Sequence, residues 1–306
     1  MATTVVAPVS NSISLAAKYL PLLDEVYKRE SLTAILDTDP SYVNWVGANA
    51  VNLFKFSSVG MSTYSRNSGY VPGDANGSWE TLTIAVDRGR SYQVDYLDNE
   101  EVLGLMVGRG LGEIERVSVI PEIDAYRFSK WAGTSGISTG TAATITPGTT
   151  DVPGMIDTAE AQMDDDEVPY EGRILFVSPT AYSGLKQKIQ RRVINSENNV
   201  NTNVEFYDDM RVIRVPQARF KSAITLNAPT TSNGAGGYSA ASGAKDINFM
   251  IVHPSAVMQV MKHYVPRLFT PEQNIEADAY RINYRYCGDT WALANKLKGI
   301  YVQTAA

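Results

Sequence analysis

Two glycine-rich stretches have residue types and spacing that occur in catalytic or nucleotide-binding sites. Gly136-Ile137-Ser138-Thr139-Gly140 matches the G-x-S-x-G pattern of hydrolases, but that motif needs a buried strand before the serine and a helix after it. The serine lies instead in a stretch rich in Ser, Thr and Gly that predicts a loop. Gly108, Gly110 and Gly112 have the wrong spacing for a dinucleotide-binding turn and fall inside a helical pattern. We predict neither a nucleophilic serine nor a bound cofactor.

Metal ligands and charged clusters are the other chemical candidates. The run Asp164-Asp165-Asp166-Glu167 offers oxygen ligands, but consecutive carboxylates cannot all converge on one ion, so it is interpreted as a solvated helix end. His253 and His263 have no serine or cysteine motif beside them, and the lone Cys287 cannot form an intramolecular disulfide. A basic cluster, either a solvated helix face or a contact for nucleic acid or an acidic partner, is formed by Lys186, Lys188, Arg191 and Arg192. We predict no metal site and no enzyme.

Composition limits the possible partners. The chain has 306 residues, 44% of them hydrophobic and 20% charged, which is ordinary for one large or two smaller globular domains. The net charge of −6 opposes general attraction to nucleic acid, so any DNA contact must be weak and local. No run approaches the roughly 18 apolar residues that a membrane span needs, and we predict no membrane contact.

The elements that would position any site begin with a long hairpin. Apolar residues alternate at period two from Val51 to Phe56 and again from Leu82 to Tyr96, and a polar stretch full of turn residues separates them. This pattern predicts a hairpin over 54–96 whose tip has few large apolar side chains. Because an isolated hairpin is marginally stable in water, another subunit is one candidate to cover it.

Helical and mixed patterns follow the hairpin. A helix is predicted from about Asn99 to Ala132, with a kink at Pro121. The later elements are predicted as strands at Arg173–Val177, Met210–Val215 and Ile247–Val252, helices from Pro179 to Arg192 and after Pro254, and a one-sided strand at Tyr280–Tyr286 that pairs with Trp291–Leu293 or Gly299–Gln303.

This order of elements, together with four local phrases, resembles the major capsid proteins of tailed bacteriophages. The phrases are DRGRSYQVD at 87–95, IPEIDAYR at 120–127, LFVSP at 175–179 and VHPSAV at 252–257. The resemblance covers essentially the whole chain. It implies an α+β protein with the Hong Kong ninety-seven capsid fold, which has an N-terminal arm, an extended β-hairpin loop, a peripheral domain with a long spine helix, and an axial α/β domain.

The resemblance also implies a division of the chain. The expected segments are an arm at 1–42, the extended loop and its base at 43–98, the peripheral domain at 99–172, the axial domain at 173–270, and a return to the peripheral sheet at 271–306. Some members of the family crosslink a loop lysine to a neighbour. Lys55, the lone lysine of the loop region, is expected at its base, which argues against that chemistry here.

The implied function is structural. The chain is expected to assemble in the host cytoplasm into pentamers and hexamers of a virion capsid around double-stranded DNA, with a portal and a separate scaffold protein as further partners. The alternatives are an encapsulin-like compartment that holds an enzyme cargo, and an unrelated α+β enzyme. Aromatic residues at the loop and arginines near it are the expected contacts between subunits: Tyr64, Arg66, Tyr70, Trp79, Arg88 and Arg90.

Overall fold

The structure is a computed structural model that describes residues 31–39, 43–47, 49–96, 112, 114–188, 192–193, 200–201, 204–228 and 236–306. The arm before residue 31 and the predicted helix start between residues 97 and 111 lie outside the described residues.

The described residues contain three α-helices and seventeen strands. The helices are α1 (Ile120–Ala132), α2 (Val152–Asp165) and α3 (Pro179–Lys188). The strands are β1 (Asn44–Val46), β2 (Ala50–Ser58), β3 (Ala75–Thr83), β4 (Val86–Asp95), β5 (Ser138–Thr139), β6 (Ile174–Val177), β7 (Arg192–Val193), β8 (Val200–Asn201), β9 (Phe206–Tyr207), β10 (Met210–Arg214), β11 (Ile224–Leu226), β12 (Tyr238–Ala240), β13 (Ile247–Val252), β14 (Val257–Tyr264), β15 (Arg267–Phe269), β16 (Ala279–Ala292) and β17 (Ile300–Thr304).

A six-stranded sheet in the order β5-β17-β13-β6-β10-β9 carries the larger core. Its central strands β6 and β13 are buried on both faces, which explains why they read as continuous apolar runs. Leu175 and Val177 pack with α2 and α3 on one face, while Phe176 packs with Phe128 and Trp131 of α1 on the other. Helix α1 is therefore a covering layer of this sheet.

A second sheet lies under the first half of α1. Strand β16 is its centre, with β4 antiparallel along one side and β14 and β15 in succession along the other. Ile120 and Ile123 of α1 pack with Val86, Tyr284 and Tyr286 of the sheet. Helix α1 thus joins the two sheets through one continuous element.

The hairpin is formed by β2 and β3, with β1 on the outer side of β2. Its register runs from Ala50 opposite Thr83 to Ser58 opposite Ala75. Strand β4 does not extend the hairpin, because it pairs along its whole length with β16. The predicted hairpin over 54–96 is therefore wrong in its second arm.

Three further predictions need correction. The helix expected after Pro254 is one 3₁₀ turn, Pro254–Ala256, followed by strand β14. Helix α3 does not reach Arg192, which belongs to strand β7. The strand at 280–286 pairs with neither expected partner, because Trp291 belongs to the same strand and β17 pairs with β13 and β5.

The predicted kink at Pro121 takes a specific form. Residues Glu115–Val119 form a π-helical segment that passes directly into α1, where Pro121 is the second residue. A proline ring crowds the carbonyl four residues earlier and has no N–H to donate, and the wider π turn relieves both problems. The helix changes type before the proline.

Two of the segments that the resemblance implies do not belong to one sheet alone. Within 271–306, β16 lies in the sheet under α1, whereas β17 lies in the six-stranded sheet. Helix α2, within 99–172, packs on the six-stranded sheet. The domain boundaries remain a prediction.

Candidate assembly surface

One face of the hairpin is aromatic and exposed. The register places Phe54 opposite Trp79 and Phe56 opposite Gly77, so these side chains share a face. The rings of Phe54 and Trp79 meet edge to face, with centroids 5.1 Å apart. More than half of each aromatic side chain is exposed, at 52% for Phe54, 58% for Phe56 and 61% for Trp79. Such a cluster is a typical feature of protein interfaces.

A glycine fixes the shape of this face. A Cβ atom on Gly77 would lie only 2.5 Å from Cζ of Phe54, so the Phe54 ring occupies the space above the glycine. An aromatic ring that covers a cross-strand glycine gives that part of the strand packing it otherwise lacks. The aromatic face is thus built within the hairpin.

The opposite face of the hairpin is charged. Lys55 forms an ion pair with Glu80 of β3, with Nζ and Oε2 2.6 Å apart. Lys55 lies opposite Ser78 in the middle of β2 and not at the base of the loop, which corrects the sequence expectation. The hairpin is therefore two-sided, with a polar face that suits water and an apolar face that does not.

The tip contains three of the six predicted contact residues. A bridge between Ser65 and Gly69 closes a turn that contains Arg66, and the Ser65 hydroxyl accepts the N–H of residue 68 at 3.2 Å. The rings of Tyr64 and Tyr70 flank the turn, with centroids 4.9 Å apart. Both rings are more than half exposed. The turn thus presents two tyrosines around one arginine.

The base of the hairpin is anchored in the subunit. Val51 is fully buried and packs with Leu82 against Met258 and Val260 of β14. The aromatic face begins three residues beyond this anchor.

Arg88 and Arg90 lie on a different element from the hairpin residues. Arg88 Nε donates to Glu122 Oε1 of α1 at 2.7 Å, and Arg88 Nη1 donates to the Asn227 carbonyl at 2.8 Å. Arg90 is partly buried, and its Nη1 lies 2.9 Å from the position that a Cβ on Gly236 would take. The structure brings four predicted residues together on the hairpin and places these two arginines against other parts of their own chain.

Burial makes the Arg88 cluster a fixed part of the subunit. The Tyr286 hydroxyl donates to Glu122 Oε1 at 2.5 Å. Burial, and then the nearby Glu122 carboxylate, raise the pKa of Tyr286 well above its usual range. Arg88 donates to both carboxylate oxygens of Glu122, which is nearly buried. Such a bidentate ion pair holds the Arg88 side chain firmly against its own subunit.

Phe54 and Phe56 are the functional candidates that the sequence reasoning missed as contacts. They were identified only as alternating strand residues. Aromatic residues at i and i+2, on the arm opposite a tryptophan and a glycine, were the available signal.

The residues considered for chemistry have local structural roles. Ser138 is buried in β5 and its hydroxyl donates to Asp166 at 3.3 Å. His253 does have a serine neighbour, since its Nδ1 lies 2.8 Å from Ser255 Oγ, and it also accepts the Ser255 N–H, which caps the 3₁₀ turn. Cys287 is a free, buried thiol in β16.

The described residues show neither a metal cluster nor a membrane-spanning helix. In that part of the chain, no group of three His, Cys, Asp or Glu side chains is placed to hold a metal ion. None of the described helices is long and apolar enough to cross a membrane.

The arrangement of two sheets, a joining helix and a projecting hairpin is similar to several solved structures. A structure from Mycobacterium phage Che8 matches 89% of this chain and 90% of its own, with a TM-score of 0.61 and 13% identity. The capsid structure of the cyanophage P-SCSP1u matches 89% of this chain and 86% of its own, with a TM-score of 0.57 and 15% identity. A virus-like particle from Pyrococcus furiosus matches 96% of this chain and 100% of its own, with a TM-score of 0.54 and 10% identity.

The chain has the α+β fold of phage capsid proteins, and the predicted fold is confirmed. No protein-family model and no curated protein matches the sequence.

Proposed function

We propose that this chain is the major capsid protein of a tailed bacteriophage and forms an icosahedral shell of pentamers and hexamers around double-stranded DNA. The observation that carries the proposal is the exposed aromatic face of the hairpin on a subunit with the capsid fold. A shell protein assembled in the host cytoplasm and resident in the virion capsid needs no catalytic centre of its own. A portal and a separate scaffold protein complete the proposed partners.

A second copy of the chain is the proposed occupant of the aromatic face. Phe54, Phe56 and Trp79 lie beyond the buried anchor at Val51, so they add little to the core of their own subunit. The solved structures with the same fold include capsids, in which many copies of a chain meet. Burying one aromatic anchor at an interface contributes about 2 kcal/mol, and a closed shell repeats that contribution in every copy.

The second candidate function is an encapsulin-like compartment that holds an enzyme cargo. The fold match to a virus-like particle from Pyrococcus furiosus supports it. The two functions predict different contents for the particles. Purified particles with nuclease-protected DNA favour the capsid, and particles that copurify with an enzyme but contain no DNA favour the compartment.

The test of assembly is a shortened hairpin that keeps its anchor. Residues 54–79 are replaced by Asn-Gly, a two-residue turn that joins the paired residues Leu53 and Glu80. The variant should remain a folded subunit with nearly normal circular dichroism, because Val51 and Leu82 still pack on β14. Electron microscopy should show no closed particles. Normal shells from this variant, or an unfolded subunit, would contradict the assignment.

The matched control changes one residue of the tip and keeps the length of the hairpin. Asn67→Ser alters an exposed turn residue outside the aromatic face. It should form particles as the unaltered chain does.

A further inference from the structure

The foot of the hairpin is the junction between β3 and β4, at Ile84 and Ala85. The Ile84 N–H donates to the Asn49 carbonyl at 2.8 Å. The Ala85 N–H donates instead to a side chain from the second sheet, Asp289 Oδ2 of β16, at 2.9 Å. A carboxylate of β16 therefore holds the backbone at Ala85, one residue before β4 begins to pair with β16.

Asp289 is itself held rigidly. Its side chain is completely buried and forms an ion pair with Lys130 of α1. Its Oδ1 accepts the Tyr126 hydroxyl at 3.0 Å and the Thr290 N–H at 2.7 Å. A buried carboxylate is stable only with such partners, and together they fix its position relative to α1 and β16.

The apolar anchor of the hairpin, at Val51 and Leu82, differs physically from the bond to Asp289. Val51 and Leu82 contact Met258 and Val260 through apolar surface, and apolar contact is not directional. A hydrogen bond from a backbone N–H to a fixed carboxylate weakens steeply as its angle departs from linear. The apolar contact therefore attaches the hairpin, and the directional bond to Asp289 can fix its angle.

We propose that Asp289 is the positioning residue that sets the direction in which the hairpin projects from the subunit. Its importance for shells rests on the proposed function, because a closed shell requires the same hairpin angle in each copy at equivalent positions. Its effect on the angle is a property of the single subunit and can be measured without assembly.

The test uses Asp289→Asn in the unassembled, full-length subunit. The amide keeps the shape of the carboxylate, but its NH₂ group cannot accept, so either Ala85 or the Lys130 side loses its acceptor. Spin labels at Ser57→Cys on the exposed part of β2 and Thr158→Cys on α2 report the hairpin angle, in a Cys287→Ser background. We expect the distance distribution to become at least about twice as broad as in the parent.

The control is Asp246→Asn, which removes an aspartate that is also paired with a lysine, Lys221, but is partly exposed and remote from the hairpin. It should leave the distribution unchanged. An unchanged distribution in Asp289→Asn, or equal broadening in both variants, would overturn the proposal.

A measurement on the unaltered chain covers the case in which Asp289→Asn does not fold. Hydrogen exchange of the Ala85 amide should be at least about ten times more protected than that of the fully exposed Met61. Equal protection would refute the bond to Asp289. If the subunit never forms shells, the proposed function fails, while the distance distribution still decides whether Asp289 sets the hairpin angle and the exchange rate still decides whether the bond to Ala85 exists.

Discussion

At the scale of single residues, Gly77 offers a sharp test of the aromatic face. The Cβ of Gly77→Ala would displace the Phe54 ring, which lies 2.5 Å from it. Because that ring is half exposed and can turn away, the free energy of unfolding should fall by less than about 1 kcal/mol. Particle yield by electron microscopy should fall much more, since the aromatic face loses its shape.

Gly60→Ala is the matched control for this variant. Gly60 also belongs to the hairpin loop, and no atom lies within 4 Å of a Cβ placed there. It should assemble normally. A similar loss of particles in both variants would show that the loop is sensitive to any substitution and that Phe54 is not the cause.

Glu160 on α2 gives a pH dependence that involves no assembly. Burial, and then the carboxylates of Asp208, Asp157 and Asp164, raise its pKa from 4.5 to about 7, against the opposing effect of Arg173. The folded protein therefore binds a proton more tightly than the unfolded chain does. The contribution of Glu160 to stability therefore falls as the pH rises from 4.5 to about 7, and the full penalty persists above that range.

Glu160→Gln should remove this penalty. We expect a higher free energy of unfolding than in the parent at about pH 8, and little difference at about pH 4, where the glutamate is mainly protonated in both states. Urea titrations at the two pH values measure it. Asp165→Asn, an exposed carboxylate on the same helix, is the control and should show no such difference. If Glu160→Gln is no more stable than the parent at the higher pH, burial and the nearby carboxylates do not raise the pKa of Glu160.

At the scale of elements, the hairpin should behave differently from other exposed aromatic surface. Phe56→Ala removes a side chain that is 58% exposed, and Tyr170→Ala removes one that is 66% exposed and lies outside the hairpin. Neither should lower subunit stability by more than about 0.5 kcal/mol, because both rings are mainly in water. Only Phe56→Ala should raise the concentration at which particles form, as followed by light scattering. Equal effects of the two variants would argue against a specific role of the hairpin.

Local patterns predicted the elements whose burial repeats along the chain. Strands β6 and β13 are continuous apolar runs with both faces covered, and β2 alternates as a half-exposed strand does. The helix predicted after Pro254 was wrong because the apolar residues there fit two patterns. Their spacing suits one face of a helix, and it also suits a strand whose first four residues are all buried. These residues are Val257, Met258, Val260 and Met261. A short apolar run does not distinguish the two.

Pairing between distant elements could not be predicted from local patterns. Strand β16 pairs with β4, almost two hundred residues earlier in the chain, and Arg88 of β4 meets Glu122 of α1, which packs on that sheet. The expectation that Arg88 serves a neighbouring subunit came from its position beside the hairpin in sequence. Its partners on α1 are set by the fold, which no spacing in the sequence encodes.

At the scale of the whole molecule, the fold places its aromatic surface on the projecting hairpin. Its buried ion pairs lie where α1 meets the second sheet. Helix α1 contacts both sheets, and through Lys130 and Asp289 it also reaches the foot of the hairpin. The hairpin angle is therefore tied to the same helix that spans the core. A subunit built this way can present one fixed surface to every neighbour.

The net charge of the molecule bears on how the proposed shell would interact with DNA. With 27 basic and 33 acidic residues, the net charge of −6 gives no general attraction to phosphates. The unassembled subunit should bind double-stranded DNA with a dissociation constant weaker than roughly 100 µM at physiological salt, as measured by fluorescence anisotropy. A shell wall of this kind would enclose DNA without adhering to it, which leaves packaging and release unhindered. Binding tighter than that, with a steep loss of affinity as salt increases, would mean that the chain carries a dedicated phosphate-binding surface.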